Sequence, residues 1–300
     1  MVLLDALSAS PTFFVIAVVV LGLLVGSFLN VVIYRVPVML EREWRQQCAE
    51  LADPAAAEPP PPPRFNLIVP RSKCPKCQAP ISALQNIPVL SYLVLRGRCA
   101  GCGAPISARY PLIEALTGLL SGLVAWKFGY GAAAVAALVL TWFLIALTFI
   151  DVDTQLLPDS MTLPLLWVGL TVSAFLMPST SLSLPVELHD SVVGALAGYL
   201  SLWSIYQLFK LLTGKEGMGY GDFKLLAAIG AFLGWRMLLP TVLCAAAVGA
   251  AVGIVILTLK RQGRGVPIAF GPFLSAAGWL MMMWGPELVH GYLGLFGRHA

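Results

Sequence analysis

A chain of 300 residues that is 58% hydrophobic and 11% charged, with a mean hydropathy of +0.84, is not a water-soluble globular protein; such proteins carry about 25% charged residues. The net charge of +4 is small, so the placement of the charges says more than their sum, and no nucleic-acid partner is expected. Apolar runs long enough for a ~30 Å hydrocarbon core recur, each needing about 20 residues, and backbone groups in lipid must be satisfied within the segment. These constraints predict an all-α polytopic membrane protein embedded in a lipid bilayer.

The first apolar run, 13–34, lacks a basic n-region, having Asp5 instead, and is too long for a signal-peptide core. It reads as a retained span. Eight candidate spans follow from the pattern, at about 12–34, 111–128, 132–150, 161–177, 190–212, 223–235, 238–259 and 268–285. The expected organisation is a first span (1–34), a polar loop with a Pro-rich linker and a four-cysteine domain (35–110), and a seven-helix membrane domain (111–300). The loop opens with charges at 41–45 and passes through Pro59 to Pro63, which predicts an extended polyproline spacer.

Beyond the linker stand Cys74-Pro-Lys-Cys77 and Cys99-Ala-Gly-Cys102, with 21 residues between the pairs. Two C-x2-C knuckles present four thiolates to a tetrahedral ion, and this spacing is close to the zinc-ribbon pattern. Four thiolates leave no open coordination position, so the expected Zn2+ is structural. Two disulfides would need an oxidising compartment. Cys48 and Cys244 stand alone and read as ordinary packing or surface residues.

Lys and Arg set the orientation. With the N-terminus outside, the cytoplasmic segments are 35–110, 151–160, 210–224 and 260–267, which hold sixteen of the nineteen basic residues. Both termini are thus expected on the periplasmic side. Asp151, Asp153, Asp159 and Asp222 then come to the cytoplasmic membrane boundary, with Glu114 at the same level.

Ionisable groups at span edges are costly and point to function. Two carboxylates held close do not both ionise easily; one keeps a proton while the other activates water, as peptide hydrolysis requires. Asp159, ahead of a span, suits a helix start instead, and Asp153 suits a polar loop. The glycines of Gly217-Met-Gly-Tyr-Gly-Asp222 would admit close backbone approach. A dinucleotide-binding reading of that run fails, because a membrane span rather than a strand precedes it.

Gly219-Tyr220-Gly221-Asp222 is the GxGD signature of intramembrane-type aspartyl proteases. With Gly26-Ser27-Phe28-Leu29-Asn30-Val31-Val32, the paired knuckles, Arg109-Tyr110-Pro111-Leu112-Ile113-Glu114 and Phe270-Gly271-Pro272, the chain closely resembles the bacterial type IV prepilin leader peptidase/N-methyltransferase family (peptidase A24 type) over about residues 13–285. The resemblance implies two activities: cleavage of the basic leader of type IV prepilins and secretion-system pseudopilins, then methylation of the new N-terminal amine with S-adenosylmethionine. It also assigns the catalytic pair to Asp151 and Asp222; the residues alone leave Asp151 and Asp153 equivalent. Ala269 stands where relatives commonly have Pro. The implied location is the bacterial inner membrane, with the segment around Arg96-Gly97-Arg98 and the knuckles the candidate place for methylation. A proton-coupled transporter is the rival from another class, but the acids cluster at one face and no inverted repeat is visible. A structural anchor docking through the zinc loop is a third reading.

The charge bias is directly testable. A reporter fused after Gly265 should behave as cytoplasmic and one at Ser181 as periplasmic; a periplasmic signal at Gly265 would invert the topology.

Overall fold

The computed structural model describes residues 2–52, 64–82, 84–176, 184–260 and 269–296. The five-proline run, the first half of the 178–189 stretch and residues 261–268 lie outside the described residues. Among those described, no strand forms and ten α-helices follow one another: α1 (Val2–Ala9), α2 (Pro11–Ala52), α3 (Leu90–Val94), α4 (Arg109–Phe128), α5 (Ala132–Thr154), α6 (Asp159–Phe175), α7 (Leu188–Thr213), α8 (Tyr220–Leu233), α9 (Leu238–Lys260) and α10 (Gly271–Phe296). The chain divides into two compact units, Met1–Trp126 and Lys127–Ala300.

Five segments are long and apolar enough to cross a membrane: α2, α4, α5, α7 and Trp235–Val255, which carries most of α9. The other three expected positions are filled by α6, α8 and α10. Helix α6 has 17 residues and α8 only 14, while α10 bends at Trp284, just before Pro286. Helix α2, the first expected span, departs from expectation. It does not end where hydropathy falls at residue 34 but runs to Ala52, a rod of roughly 63 Å at 1.5 Å per residue. Its polar half is held by i,i+4 pairs, Arg45 donating to Glu41 at 2.6 Å and Gln46 to Glu50 at 2.9 Å.

In the first unit, α2 and α4 meet through glycines. A Cβ on Gly26 would fall 2.7 Å from Glu114 Cα, and one on Gly122 would fall 2.6 Å from Val19. The Gly-x3-Gly spacings 22/26 and 118/122 therefore let the two backbones approach as membrane helices do. Arg35, buried on α2, donates to the carbonyls of Asn66 at 2.7 Å and Pro70 at 2.5 Å, strapping the returning chain to the helix.

The second unit is built around α8. Every residue from Leu225 to Leu233 is buried, and α6, α7, α9 and α10 pack around it. Contact with α7 is backbone to backbone: a Cβ on Gly198 would lie 2.7 Å from Leu226 O, and Gly194 faces Gly230 across the crossing. Ser191 adds a hydrogen bond from its hydroxyl to Ala231 O at 2.5 Å.

Gly198→Leu should therefore force α7 off α8 and destabilise the unit by about 1–3 kcal/mol, the usual cost of overpacking. Gly131→Ala, where a Cβ meets nothing within 4 Å, should be neutral. Unfolding midpoints in a detergent titration distinguish the two.

Candidate active site and metal centre

The four cysteines predicted as ligands come together in the first unit, with all four sulfurs within 4.8 Å of one another. Cys74 Sγ lies 3.9 Å from Cys102 Sγ, and Cys77 Sγ lies 4.0 Å from Cys99 Sγ. A tetrahedral zinc at ~2.3 Å from each sulfur sets S–S edges of ~3.8 Å, so the cluster fits that ion.

The two knuckles are built alike. Each is a tight loop closed by one antiparallel bridge, Lys73 to Pro80 in the first and Arg98 to Pro105 in the second. The N–H of Gln78 donates to Cys74 O and that of Gly103 to Cys99 O, both at 2.9 Å. Both turn residues are left-handed, at φ 59° and 68°. The underlying repeat, Cys-x-x-Cys-x-Ala-Pro-Ile-Ser, is written twice in the sequence, at 74–82 and 99–107.

Backbone N–H groups aimed at the sulfurs favour thiolates, as a metal requires. The N–H of Cys77, then that of Lys76, draws the Cys74 thiol down to about 6. Ala104 N–H acts in the same sense at Cys102, but the neighbouring thiols, Cys77 foremost, and burial outweigh it and push that thiol up to about 11. Protons shared among crowded thiols are what a divalent cation displaces. Cys48 is exposed on α2 and Cys244 half-buried in α9, both outside the cluster.

The aspartates fall in the second unit. Asp151 sits in the last turn of α5 and is 5% exposed; Asp222 sits in the first turn of α8 and is 7% exposed. Asp153, two residues on, points outward, because positions two apart on a helix do not share a face. Asp151 Oδ2 accepts a hydrogen bond from the N–H of Gly271 at 3.0 Å. That N–H opens α10, where first-turn donors have no partner within the helix, so Asp151 caps α10 from another element. Asp222 Oδ1 is buried with no hydrogen-bond partner among the described residues.

Leu157 forms a common wall. A Cβ on Gly221 would come within 2.6 Å of Leu157 Cβ, and one on Gly271 would come within 3.2 Å of Leu157 Cδ1 and 2.5 Å of Asp151 Oδ2. Glycine at both positions is thus a steric requirement of bringing the start of α8, which carries Asp222, and the start of α10, which binds Asp151, onto one leucine.

Asp159 lies in the first turn of α6, as expected, but its side chain makes no cap; Pro158 precedes the helix without a side-chain cap bond. Instead Lys224 Nζ donates to both Asp159 oxygens, at 2.6 and 2.7 Å, clipping the start of α6 to the start of α8. Neither this clip nor the role of Gly271 was legible beforehand. A glycine directly before a proline at a helix start is the one available signal for the second, since Pro is favoured there and leaves the preceding N–H free. Glu114 is buried in the first unit, where it accepts from Val89 N–H at 2.8 Å.

Comparison with known proteins adds an independent observation. Residues 20–128 match the Bacterial Peptidase A24 N-terminal domain, and residues 138–254 match the Type IV leader peptidase family. The chain is 51% identical over 293 residues to the prepilin leader peptidase/N-methyltransferase of Stutzerimonas stutzeri, covering 96% of this chain and 97% of the relative. The proteins of the same description from Pseudomonas aeruginosa and Aeromonas hydrophila are 50% and 53% identical, each alignment covering at least 98% of both chains. No solved structure matches the chain.

The capping bond separates two substitutions that are usually treated as equivalent. Asp151→Asn keeps an oxygen to accept the Gly271 N–H and should unfold near the parent midpoint. Asp151→Ala leaves that donor unpaired and should lose about 1–3 kcal/mol in the same measurement.

Proposed function

We propose, for a chain that belongs to the type IV leader peptidase family, that Asp151 and Asp222 are the carboxylate pair that hydrolyses the leader bond. Like its relatives, the protein cleaves prepilin leaders and N-methylates the shortened product. The observation that carries the assignment is the asymmetry of the two groups. One oxygen of Asp151 is fixed by Gly271, whereas Asp222 Oδ1 is buried and uncommitted. A buried carboxylate oxygen without a protein partner is costly and calls for a functional account. Here it is the atom that exchanges a proton with the water or carbonyl of the scissile peptide.

In this reading one carboxylate takes the proton of the attacking water while the other, protonated, donates to the peptide oxygen. Collapse of the tetrahedral species returns a proton to the leaving amine. Gly221 and Gly271 let the segments around the pair pack closely, whereas the space beside Gly219, where a Cβ would meet only Asp222 Oδ2 at 4.0 Å, is open to the extended substrate backbone. The basic bias of the loops puts this chemistry at the cytoplasmic face of the inner membrane, with both termini periplasmic. A prepilin or pseudopilin held by its apolar segment would then present its leader junction at headgroup depth.

S-adenosylmethionine is the proposed methyl donor for the new N-terminal amine, a transfer that does not need the carboxylate pair. Cys74, Cys77, Cys99 and Cys102 would hold a structural Zn2+, whose chemistry is cross-linking alone. A proton relay fits less well, because Asp151 and Asp222 stand at helix ends rather than at mid-helix.

Asp151→Asn and Asp222→Asn should each abolish cleavage of a prepilin peptide by several orders of magnitude, while methylation of a pre-cleaved substrate persists. Asp153→Asn and Asp159→Asn should retain substantial cleavage. Substantial peptidase activity in Asp222→Asn would end the aspartyl assignment, and an inactive Asp153→Asn beside an active Asp151→Asn would move the pair. For the metal, Cys74→Ser or Cys102→Ser should bring zinc content towards zero and open 70–105 to proteolysis. Parent protein that binds no zinc yet folds fully would remove the ion.

A further inference from the structure

The knuckle segment has a property that leader hydrolysis does not use. Between Arg64 and Tyr110 the chain holds seven basic residues and no acidic one. Arg64, Arg71, Lys73, Lys76, Arg96 and Arg98 are all exposed. Between the two knuckles, a single 3-10 turn (Leu84–Asn86) and the short helix α3 carry large aliphatic side chains that nothing covers. Leu84 is 77% exposed, Leu93 63% and Val94 80%, with Ile87 and Leu90 beside them. A water-facing module of this size does not expose so many aliphatics in eleven residues without a partner.

Two further observations say what that partner is. First, the segment is fastened to membrane helices. Val89 N–H donates to Glu114 near the start of α4, and Ile87, Pro88, Val89 and Leu90 form one continuous apolar wall with Val19 and Leu23 of α2 and Leu119 and Trp126 of α4. The exposed aliphatics are therefore an extension of the lipid-facing surface of two spans. Second, the chain reverses directly after α3. Arg96 and Gly97 adopt φ of 50° and 67°, with Gly97 tucked under the Tyr92 ring, so Arg96 and Arg98 follow Val94 at once. Aliphatic side chains with arginines at their margin are the composition of a segment lying in a bilayer interface.

We propose that residues 84–98 form an interfacial lip that docks on the anionic phospholipid of the bilayer the protein spans. Leu84, Leu90, Leu93 and Val94 enter the acyl boundary, and Arg96 and Arg98 engage headgroup phosphates. The four-cysteine cluster fixes the two ends of the lip, since Cys77 precedes it and Cys99 follows it. This surface is independent of the assignment of the aspartates.

The test uses the full chain in nanodiscs of phosphatidylcholine, with and without phosphatidylglycerol, carrying a benzophenone amino acid at Leu93 or, as a control, at exposed Glu43 on α2. Retained zinc content and unfolding midpoint establish that each labelled protein is folded. Irradiation should give phospholipid adducts at Leu93 and essentially none at Glu43. The Leu93 yield should rise with phosphatidylglycerol, and Arg96→Gln or Arg98→Gln alone should each reduce it by about fivefold, the factor expected for the loss of one basic contact to an anionic leaflet. Equal lipid labelling at the two positions would overturn the proposal. So would adducts at Leu93 with a prepilin or a second copy of the chain in place of lipid. Yields at Leu93 indifferent to phosphatidylglycerol would overturn the phosphate contact.

Discussion

Two carboxylates buried in one membrane unit are the constraint around which Lys127–Ala300 is arranged. Removing a charge from water costs several kcal/mol even after relaxation, so burial is tolerable only where compensation is built in. The second unit supplies it with helix ends. Asp151 receives the first N–H of α10, Asp222 lies in the first turn of α8, and the Asp159–Lys224 clip brings the first turn of α6 alongside. Helix N-termini carry unpaired N–H groups and a positive partial charge. Three of them gathered at one end of a bundle make an apolar unit able to hold negative groups. The bare Gly194–Gly230 and Gly198–Leu226 crossings follow from the same demand, because α8 must be gripped without side chains between the backbones.

The first unit meets a milder form of this problem with different means. Beside Glu114, which accepts from Val89 N–H, it buries Arg35, compensated by two backbone carbonyls rather than a carboxylate. A permanently charged, planar fork can satisfy itself on carbonyl dipoles, and in doing so it ties residues that return from the linker to the helix they left. The knuckles then repeat one nine-residue turn twice, so that each contributes two sulfurs and neither completes a metal site alone. Organisation here comes from cross-links at a few points, not from a large core.

Legibility in the sequence followed physical rules of the same kind. Apolar runs located eight helices, five of them in segments long and apolar enough to cross a membrane, because lipid leaves few options for a hydrophobic chain. The end of α2 was not legible, since hydropathy marks where a helix leaves lipid and not where it stops hydrogen bonding; Glu41–Arg45 and Gln46–Glu50 carry it on as polar helix. The cysteine spacing foretold the cluster, as ligand spacing is a local property. Asp151 and Asp153 could not be separated by residue type, and only the face each occupies distinguishes them: Asp151 turns inward beside Ile150, Asp153 outward. The partnership of Asp151 with Gly271 spans 120 positions and depends on tertiary packing that no local pattern encodes.

The lengths of α6 and α8 have a consequence for the surrounding lipid. At 1.5 Å per residue, the 14 residues of α8 reach roughly 21 Å and the 17 of α6 roughly 25 Å, against ~30 Å for a hydrocarbon core. Helix α8 is wrapped by protein, so its shortness is hidden. Helix α6 presents Leu163, Trp167 and Phe175 outward and so meets acyl chains directly. Leaflets that match it are compressed by roughly 5 Å, at a cost of fractions of a kcal/mol per ångström. A bilayer thinned to match α6 would draw the headgroup layer towards its midplane there, and would bring water closer to the unit that holds both aspartates.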